Sequence, residues 1–222
     1  MRHFEDNRKP ITLFHQQLLL ALGESNDLSP LIHSIRGRIK DPVHLRGKLE
    51  RKLRETKNAR GRFRITPQNL FARVNDLAGI RILHLYTRQI EKIHPALLKI
   101  FREQEFRLVE RPFARTWDDE SRQLLKTCGI RTQKSPSLYT SVHYVVESAS
   151  RTKITCEIQV RTLMEEVWGE VDHEINYPAP TTCVAIAEQI KVLARMTSSA
   201  TRLVDSIFLT VDDLRRRQGR RQ

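Results

Sequence analysis

Cysteine is nearly missing from the chain: Cys128, Cys156 and Cys183 are the only 3, and no two of them form a C-x-x-C pair. An odd, scattered set makes neither a disulfide framework nor a structural zinc site, which points to a reduced, cytoplasmic setting. Long apolar runs are missing too. The longest early one, "LFHQQLLLALG", is broken by His and Gln and falls far short of the roughly 20 residues of a membrane span. The opening "MRHFEDNRKP" lacks the pattern of a secretory leader, so no membrane partner is expected, and no internal repeat is visible. Acids are scarce: 26 Asp and Glu stand against 39 Lys and Arg, a net charge of +13. A surplus of that size predicts a polyanionic partner, either nucleotide or nucleic acid.

The 222 residues suit one α/β domain with a continuous core and a helical appendage. Apolar spacing predicts a helix from Ile11 to about Leu22 and another over Leu31 to Ile39, separated by the turn residues of "GESNDLSP". A helix from His44 to Arg54 sets Leu45, Leu49 and Leu53 on one stripe and His44, Lys48 and Lys52 on the next. "NARGRFRITP" reads as a basic loop, "TPQNLFARVND" as a short helix and "GIRILHLY" as a largely buried strand. A helix over Gln89 to Glu103 and the strand "FRLVER" follow, then a polar connection from Pro112 to Pro136 of a length that is often functional. "TSVHYVVES" and "KITCEIQVRT" are adjacent strands, followed by a helix from Leu163 to about Asn176. In that helix Met164, Trp168, Val171 and Ile175 form a core stripe, beside a polar stripe of Glu166, Glu170 and His173. Beyond "YPAPTT" the chain is helical to about Arg215 and ends in a solvated tail, "RRRQGRRQ".

Chemistry concentrates in a few places. "KITCEIQVRT" alternates apolar Ile154, Cys156, Ile158 and Val160 with Thr155, Glu157, Gln159 and Arg161, which sets a carboxylate, an amide and a guanidinium in a row on one face. Asp76 stands at a helix-to-strand junction in "NDLAGIR", with Gly79 permitting close backbone approach and Arg81 on the strand. One Asp and one Glu at neighbouring strand ends are what a single Mg²⁺ on nucleotide phosphates requires, and Arg38, Lys40, Lys48, Arg81 and Arg161 supply compensating charge. In "SLYTSVHYVVES", alternation places Ser141 and His143 on one face with Tyr139 just ahead of them.

These segments in this order resemble the synthetase domain of the RelA/SpoT family and, in size, its stand-alone small alarmone synthetases. "GRIKDPVHLRGK" is similar to the family's ATP-binding segment, "DLAGIR" to its Mg²⁺-binding Asp and ATP-contacting Arg, "LYTSVH" to its acceptor loop Gly-Tyr-Arg-Ser-x-His, and "EIQVRT" with "WGEVDHEINY" to the strand and helix that follow. The resemblance implies an α/β (α+β) fold, a mixed β-sheet flanked by helices of the nucleotidyltransferase-like synthetase type with C-terminal helices. It divides the chain into a helical segment (1–30), the synthetase domain (31–178) and C-terminal helices with a basic tail (179–222). It implies an enzyme that transfers pyrophosphate from ATP to the 3′-OH of GTP or GDP, making the alarmones (p)ppGpp. Arg38, Lys40, Lys48 and Arg81 would bind ATP; Asp76 and Glu157 would bind Mg²⁺ and be catalytic; Tyr139, Ser141, His143, Gln159 and Arg161 would receive the acceptor. The family's hydrolase domain carries a His-Asp metal motif, and no His-Asp dipeptide occurs here, so synthesis without self-reversal is expected.

Three positions depart from the family pattern: His44 replaces Ser, Leu138 replaces Gly and Thr140 replaces Arg. The last removes a bidentate phosphate ligand from the acceptor side. It opens a second reading, a toxin held by an antitoxin that pyrophosphorylates the 3′ end of tRNA, for which "RGRFR" and the basic tail would supply phosphate contacts. Adenine-based alarmones (p)ppApp and a non-catalytic RNA-binding module are further alternatives, and the amphipathic "AIAEQIKVLARM" would serve a homo-oligomer or an antitoxin.

Overall fold

A computed structural model of the chain describes residues 2–150, 152–177 and 179–219. Helices α1 (Arg2–Asp6) and α2 (Arg8–Gly23) lead through a 3-10 turn at Ser29–Leu31 into strand β1 (Ser34–Ile39). Helices α3 (Pro42–Asn58) and α4 (Leu70–Arg73) precede β2 (Ala78–His84), and α5 (Ile90–Glu103) leads to the short β3 (Arg107–Leu108). Next come β4 (Phe113–Thr116), α6 (Asp119–Thr127), β5 (Arg131–Lys134), β6 (Ser141–Glu147), β7 (Thr155–Thr162), α7 (Leu163–Asn176) and α8 (Val184–Gly219). The strands form one mixed sheet in the order β1-β2-β7-β6-β4-β5, with β3 also on β6. Strands β2 and β7 run parallel, as do β4 and β5, and the other pairs are antiparallel.

One face of the sheet makes the core. Ile80, Ile82, Tyr144, Val146, Ile158 and Val160 alternate toward it, and Ile11, Phe14 and Leu18 of α2 join Ile93, Leu97 and Ile100 of α5 in the same buried cluster. The Tyr144 hydroxyl, fully buried, meets Nδ1 of His94 at 2.8 Å, so its polar end is satisfied. The α5 stripe at positions 90, 93, 97 and 100 is the reason that helix was legible from spacing.

Several expectations are corrected. The helix expected over Leu31 to Ile39 is instead a 3-10 turn followed by β1. "SIRGRI" has β-branched Ile35 and Ile39 and a mid-segment Gly of low helix propensity, and pairing with β2 decides the matter. The polar connection from Pro112 to Pro136 holds β4, α6 and β5, with Ala114, Leu125 and Ile130 buried in the main core. The C-terminal helices are a single helix, α8, of 36 residues. Of the expected basic tail, Arg215 to Gly219 are the last turn of α8, and residues 220–222 lie outside the described residues. In α7 the expected core stripe fails: Trp168 is buried, but Met164 and Ile175 are 38 % and 37 % exposed. Helix α7 lies over the polar side of the sheet, so what it buries besides Trp168 is Glu165 and Glu166. No described helix is long and apolar enough to cross a membrane.

Strand β1 lies tight against α2 at Gly37, where an added Cβ would sit 2.5 Å from Cε1 of His15 and 2.8 Å from Cδ1 of Leu19. The His15 ring is fixed by a contact from Nε2 to the Gly79 carbonyl at 3.1 Å, so it cannot swing away freely. Replacing Gly37 with Ala therefore overpacks the contact with the buried His15 ring and should lower the unfolding free energy by about 1–3 kcal/mol, measured by urea denaturation.

Candidate active site

Strand registers line up the polar side of the sheet in rows. Arg38 stands opposite Gly79 and Gly79 opposite Glu157, while Arg36, Arg81, Gln159 and His143 follow one another across β1, β2, β7 and β6. Residues directly opposite in register share a face, so charge from strands far apart in sequence gathers on one surface. Arg36 is not among the residues expected from sequence, because a helical period over Leu31 to Ile39 hides the R-x-R alternation with Arg38.

These rows open into a cleft of about 190 Å³ walled by Arg36, Arg38, Asp76, Arg81, Glu157 and Gln159. Gly79 forms its floor, and Arg38 lies 3.7 Å from where a Cβ would stand there. Nζ of Lys40 donates to Oδ2 of Asp76 at 2.6 Å, and Nζ of Lys48 makes an ion pair with Oδ1 at 2.6 Å but off the hydrogen-bonding direction. The local sequence sets this up: Asp41 caps α3, accepting the Val43 amide at 2.7 Å, and Pro42 starts the helix, so Lys40 precedes the turn and Lys48 follows inside α3. Burial alone would raise the Asp76 carboxyl, but Lys48 and Lys40 override it and hold it at about 2. Lys40 is itself lowered, chiefly by burial and also by Lys48 and Arg38, against the pull of Asp76.

Glu157 is the second acid of the cleft. Its Oε1 lies 3.0 Å from Nδ1 of His143 and its Oε2 accepts from Nε2 of Gln159 at 3.1 Å. Burial would raise this carboxyl, yet the His143 contact and the Gln159 amide outweigh burial and hold it below its ordinary value. His143 is buried and stacked on Phe113 with ring centroids 5.0 Å apart, so it orients Glu157 from behind.

A second cleft, of about 300 Å³, adjoins the first and shares Arg38, Arg81 and Gln159 with it. Tyr139, Arg161, Trp168, Asp172, His173 and Tyr177 are among its walls. The Tyr139 hydroxyl donates to Oε1 of Gln159 at 3.4 Å, and the Arg161 guanidinium lies 5.8 Å from the ring centroid. Arg81 donates to Glu166 at 2.9 Å and to Glu170, and Arg161 pairs with Glu166, so two guanidiniums and two carboxylates interleave beneath this cleft. Gly169 lets α7 come this close, since a Cβ there would stand 2.6 Å from Nη1 of Arg161. Glu166 and Glu170, read from sequence as a polar edge, are therefore partners of the site's arginines. Asp172 is a cleft wall the sequence reading did not single out; its one-turn spacing from Asn176, which donates to it at 2.8 Å, was the available signal.

The remaining sequence-selected positions separate. Ser141 is 1 % exposed, donates to the Val160 carbonyl at 3.3 Å, and lies at the strand end outside both clefts. Thr140 has its hydroxyl 3.1 Å from that of Thr116, and His44 packs edge-on against Tyr177. Leu138 adopts φ 59°, the left-handed conformation that Gly takes freely and Leu takes at a cost of about 1–2 kcal/mol, while its side chain packs with Trp168. The end of the polar connection ahead of Tyr139 is β5, paired in parallel with β4.

Because Asp76 is held at about 2 against 3.8 when unperturbed, its contribution to stability is complete above about pH 4 and lost as pH falls through 2. Asp76→Asn should lower the unfolding free energy at neutral pH by about 2 kcal/mol, with the gap to the wild type shrinking below pH 4. Urea titrations at pH 7 and near pH 3 measure it.

The pattern for the "region found in RelA / SpoT proteins" matches residues 37–182. No curated protein matches the chain in sequence. Among solved structures, small alarmone synthetase 1 from Bacillus subtilis is 20 % identical over 96 % of this chain and 97 % of that one, with a TM-score of 0.66. The same protein bound to its product pppGpp superposes with a TM-score of 0.61 at 20 % identity, over 95 % of this chain and 96 % of that one. A GTP pyrophosphokinase family protein from Streptococcus pneumoniae is 18 % identical over 95 % of this chain and 93 % of that one, with a TM-score of 0.65. The likenesses to solved structures carry the fold, and the sequence pattern, which spans well over half of the chain, carries the family: the chain belongs to the RelA/SpoT family.

Proposed function

We propose that this protein is a pyrophosphokinase that transfers pyrophosphate from ATP to the 3′-OH of GTP or GDP and releases AMP. The observation that carries this reading is the pair of adjoining clefts, one acidic-and-basic and one aromatic, with Arg38, Arg81 and Gln159 common to both. A group transfer between two bound nucleotides needs both at one boundary, with charge stabilisation there. Bacillus subtilis small alarmone synthetase 1 has been solved bound to AMPCPP and to pppGpp, which supports a donor cleft for ATP and an acceptor cleft for a guanine nucleotide here.

Arg38, Lys40, Lys48 and Arg81 bind ATP in this reading. Phosphate oxygens draw Lys40 and Lys48 from Asp76, and Arg81 exchanges Glu166 and Glu170 for the nucleotide. Asp76 and Glu157 suit Mg²⁺: both are hard oxygen donors held ionised in one cleft, Oδ1 of Asp76 faces the Lys48 ammonium that phosphate would draw away, and no group of three or more His, Cys, Asp or Glu is arranged for a metal among the described residues. A cation that completes its shell with phosphate and water fits such a sparse set, and bound there it would neutralise phosphate charge during transfer. Tyr139 stacks the acceptor base, Gln159 and Arg161 orient the acceptor, and Glu157, steered by His143, accepts the 3′-OH hydrogen bond as the oxygen attacks the β-phosphorus. Asp172 gives the acceptor cleft a carboxylate fixed by Asn176.

A second acceptor, the 3′ end of tRNA, is favoured by one observation: Thr140 is engaged with Thr116, so that position offers no phosphate ligand, whereas Arg60, Arg62 and Arg64 are exposed. Purified protein incubated with Mg²⁺ and ATP labelled on its β-phosphate, with GTP, GDP, ATP or bulk tRNA, should transfer label to GTP or GDP. Glu157→Gln should lower that rate about a hundred-fold or more. Label in tRNA alone replaces the nucleotide acceptor with RNA, and label in none overturns the enzyme.

A further inference from the structure

At the ends of β6 and β7, beneath α8, lies a chamber of about 40 Å³ that shares Arg161 with the second cleft. Val142 and Val160 form its sheet side, and His84, Thr140, Ser198 and Thr201 contribute polar walls. Helix α8 packs on α7 and on the 3-10 turn at Thr87–Gln89, and where a buried helix face usually carries Leu or Ile it buries Thr197, Ser198 and Thr201. Glu165, 8 % exposed, lines the same chamber, and among the described residues its carboxyl has neither an ion-pair partner nor a side-chain hydrogen bond. Burial pushes this carboxyl up to about 8; Arg161, already committed to Glu166, and the Thr140 amide offset only part of that. His84 places Nδ1 3.0 Å from the Tyr86 carbonyl; that contact assigns the proton to Nδ1 and leaves Nε2 an acceptor. The guanidiniums that share the chamber are bonded elsewhere, Arg161 to Glu166 and Arg202 to Asp118, so Glu165 has no ion pair of its own; a buried acid so placed costs stability, and acceptors around it suit a cation that donates hydrogen bonds.

The chamber shares Thr87, Asp118, Ser121 and Arg202 with an open groove of about 430 Å³ lined by α6 and α8. In the groove Glu91, Asp118, Glu120 and Asp205 outnumber Arg88 and Arg202, on a chain whose net charge is +13. Arg202 is already shared by Asp118 at 3.2 Å and Glu120 at 3.3 Å, and Arg88 pairs with Glu91 at 3.2 Å. Asp205 accepts the Arg88 amide at 2.9 Å and has no cationic side-chain partner among the described residues. At about 10–15 Å³ per water, the chamber takes an ammonium group with a water or two and excludes a hydrated divalent ion.

We propose that the chamber and groove bind a linear alkyl amine carrying at least two primary ammonium groups, one against Glu165 and another against Asp205. No role of either acid in the nucleotide clefts enters this inference.

Calorimetric titration of the whole chain at pH 7 with putrescine, spermidine, ammonium chloride and magnesium chloride, in two buffers of different ionisation enthalpy, tests it. Putrescine and spermidine should bind with 1:1 saturation, about ten-fold or more tighter than ammonium ion, and release nearly one proton as Glu165 ionises. Glu165→Gln should weaken amine binding about ten-fold and abolish the proton release. The same variant should melt at a higher temperature than the wild type, by more at pH 8 than at pH 5, because the unfolded carboxyl ionises near 4.5 and the buried one near 8. Asp205→Asn, on the open groove, should weaken putrescine about ten-fold and leave ammonium ion unaffected, a readout that stands even if Glu165→Gln does not fold. Absence of saturable amine binding up to about 10 mM, equal affinity for Mg²⁺, or putrescine binding unchanged in either variant overturns the proposal.

Discussion

The parallel pairing of β2 with β7 is the constraint on which the rest depends. It sets Gly79 against Glu157 and Arg81 against Gln159, and the antiparallel neighbours β1 and β6 extend those rows to Arg38 and to His143. A shift of one residue would turn every one of these side chains into the apolar core and bring Ile80 and Ile158 to the surface. The hydrophobic face therefore fixes the chemistry of the other face: burying Ile80, Ile158 and Tyr144 on α2 and α5 is what brings Asp76 and Glu157 to one cleft.

Much of this was legible in the sequence where periodicity and burial agree. Strand β7 alternates cleanly, α5 carries an unbroken apolar stripe, and "DLAGIR" and "EIQVRT" supplied the two acids with correct faces. What could not be read was decided by contacts distant in sequence. Strand β1 is too short for its period to be distinguished from a helix, and its pairing with β2 settles it. Helix α7 misled for a different reason: an apolar stripe predicts a core only when the surface beneath is apolar, and here that surface is the arginine row, so Glu166 is buried and Met164 is not. Likewise, alternation gave Ser141 and His143 a common face but said nothing of how far along the strand the cleft extends.

Local rules are broken where substrates would sit. Leu138 holds a left-handed backbone, Asp76 stands between two lysines, and the Arg81, Glu166, Glu170 and Arg161 network keeps charge half-buried beside Tyr139. Each is a cost that ordinary packing would avoid, and each becomes intelligible if polyphosphate and a base displace the internal partners. The ligand-free ion pairs thus act as stand-ins: carboxylates hold the cations ready, and cations hold the carboxylates ionised.

Two carboxylates alone offer too few ligands, so metal and nucleotide should bind cooperatively. The direct measurement is electron paramagnetic resonance of Mn²⁺ titrated into the protein with and without the ATP analogue AMPCPP. Mn²⁺ should bind tightly only when the analogue is present, and Asp76→Asn or Glu157→Gln should each release it. Tight Mn²⁺ binding without nucleotide, or binding that survives both substitutions together, would contradict the shared cleft as the site of transfer.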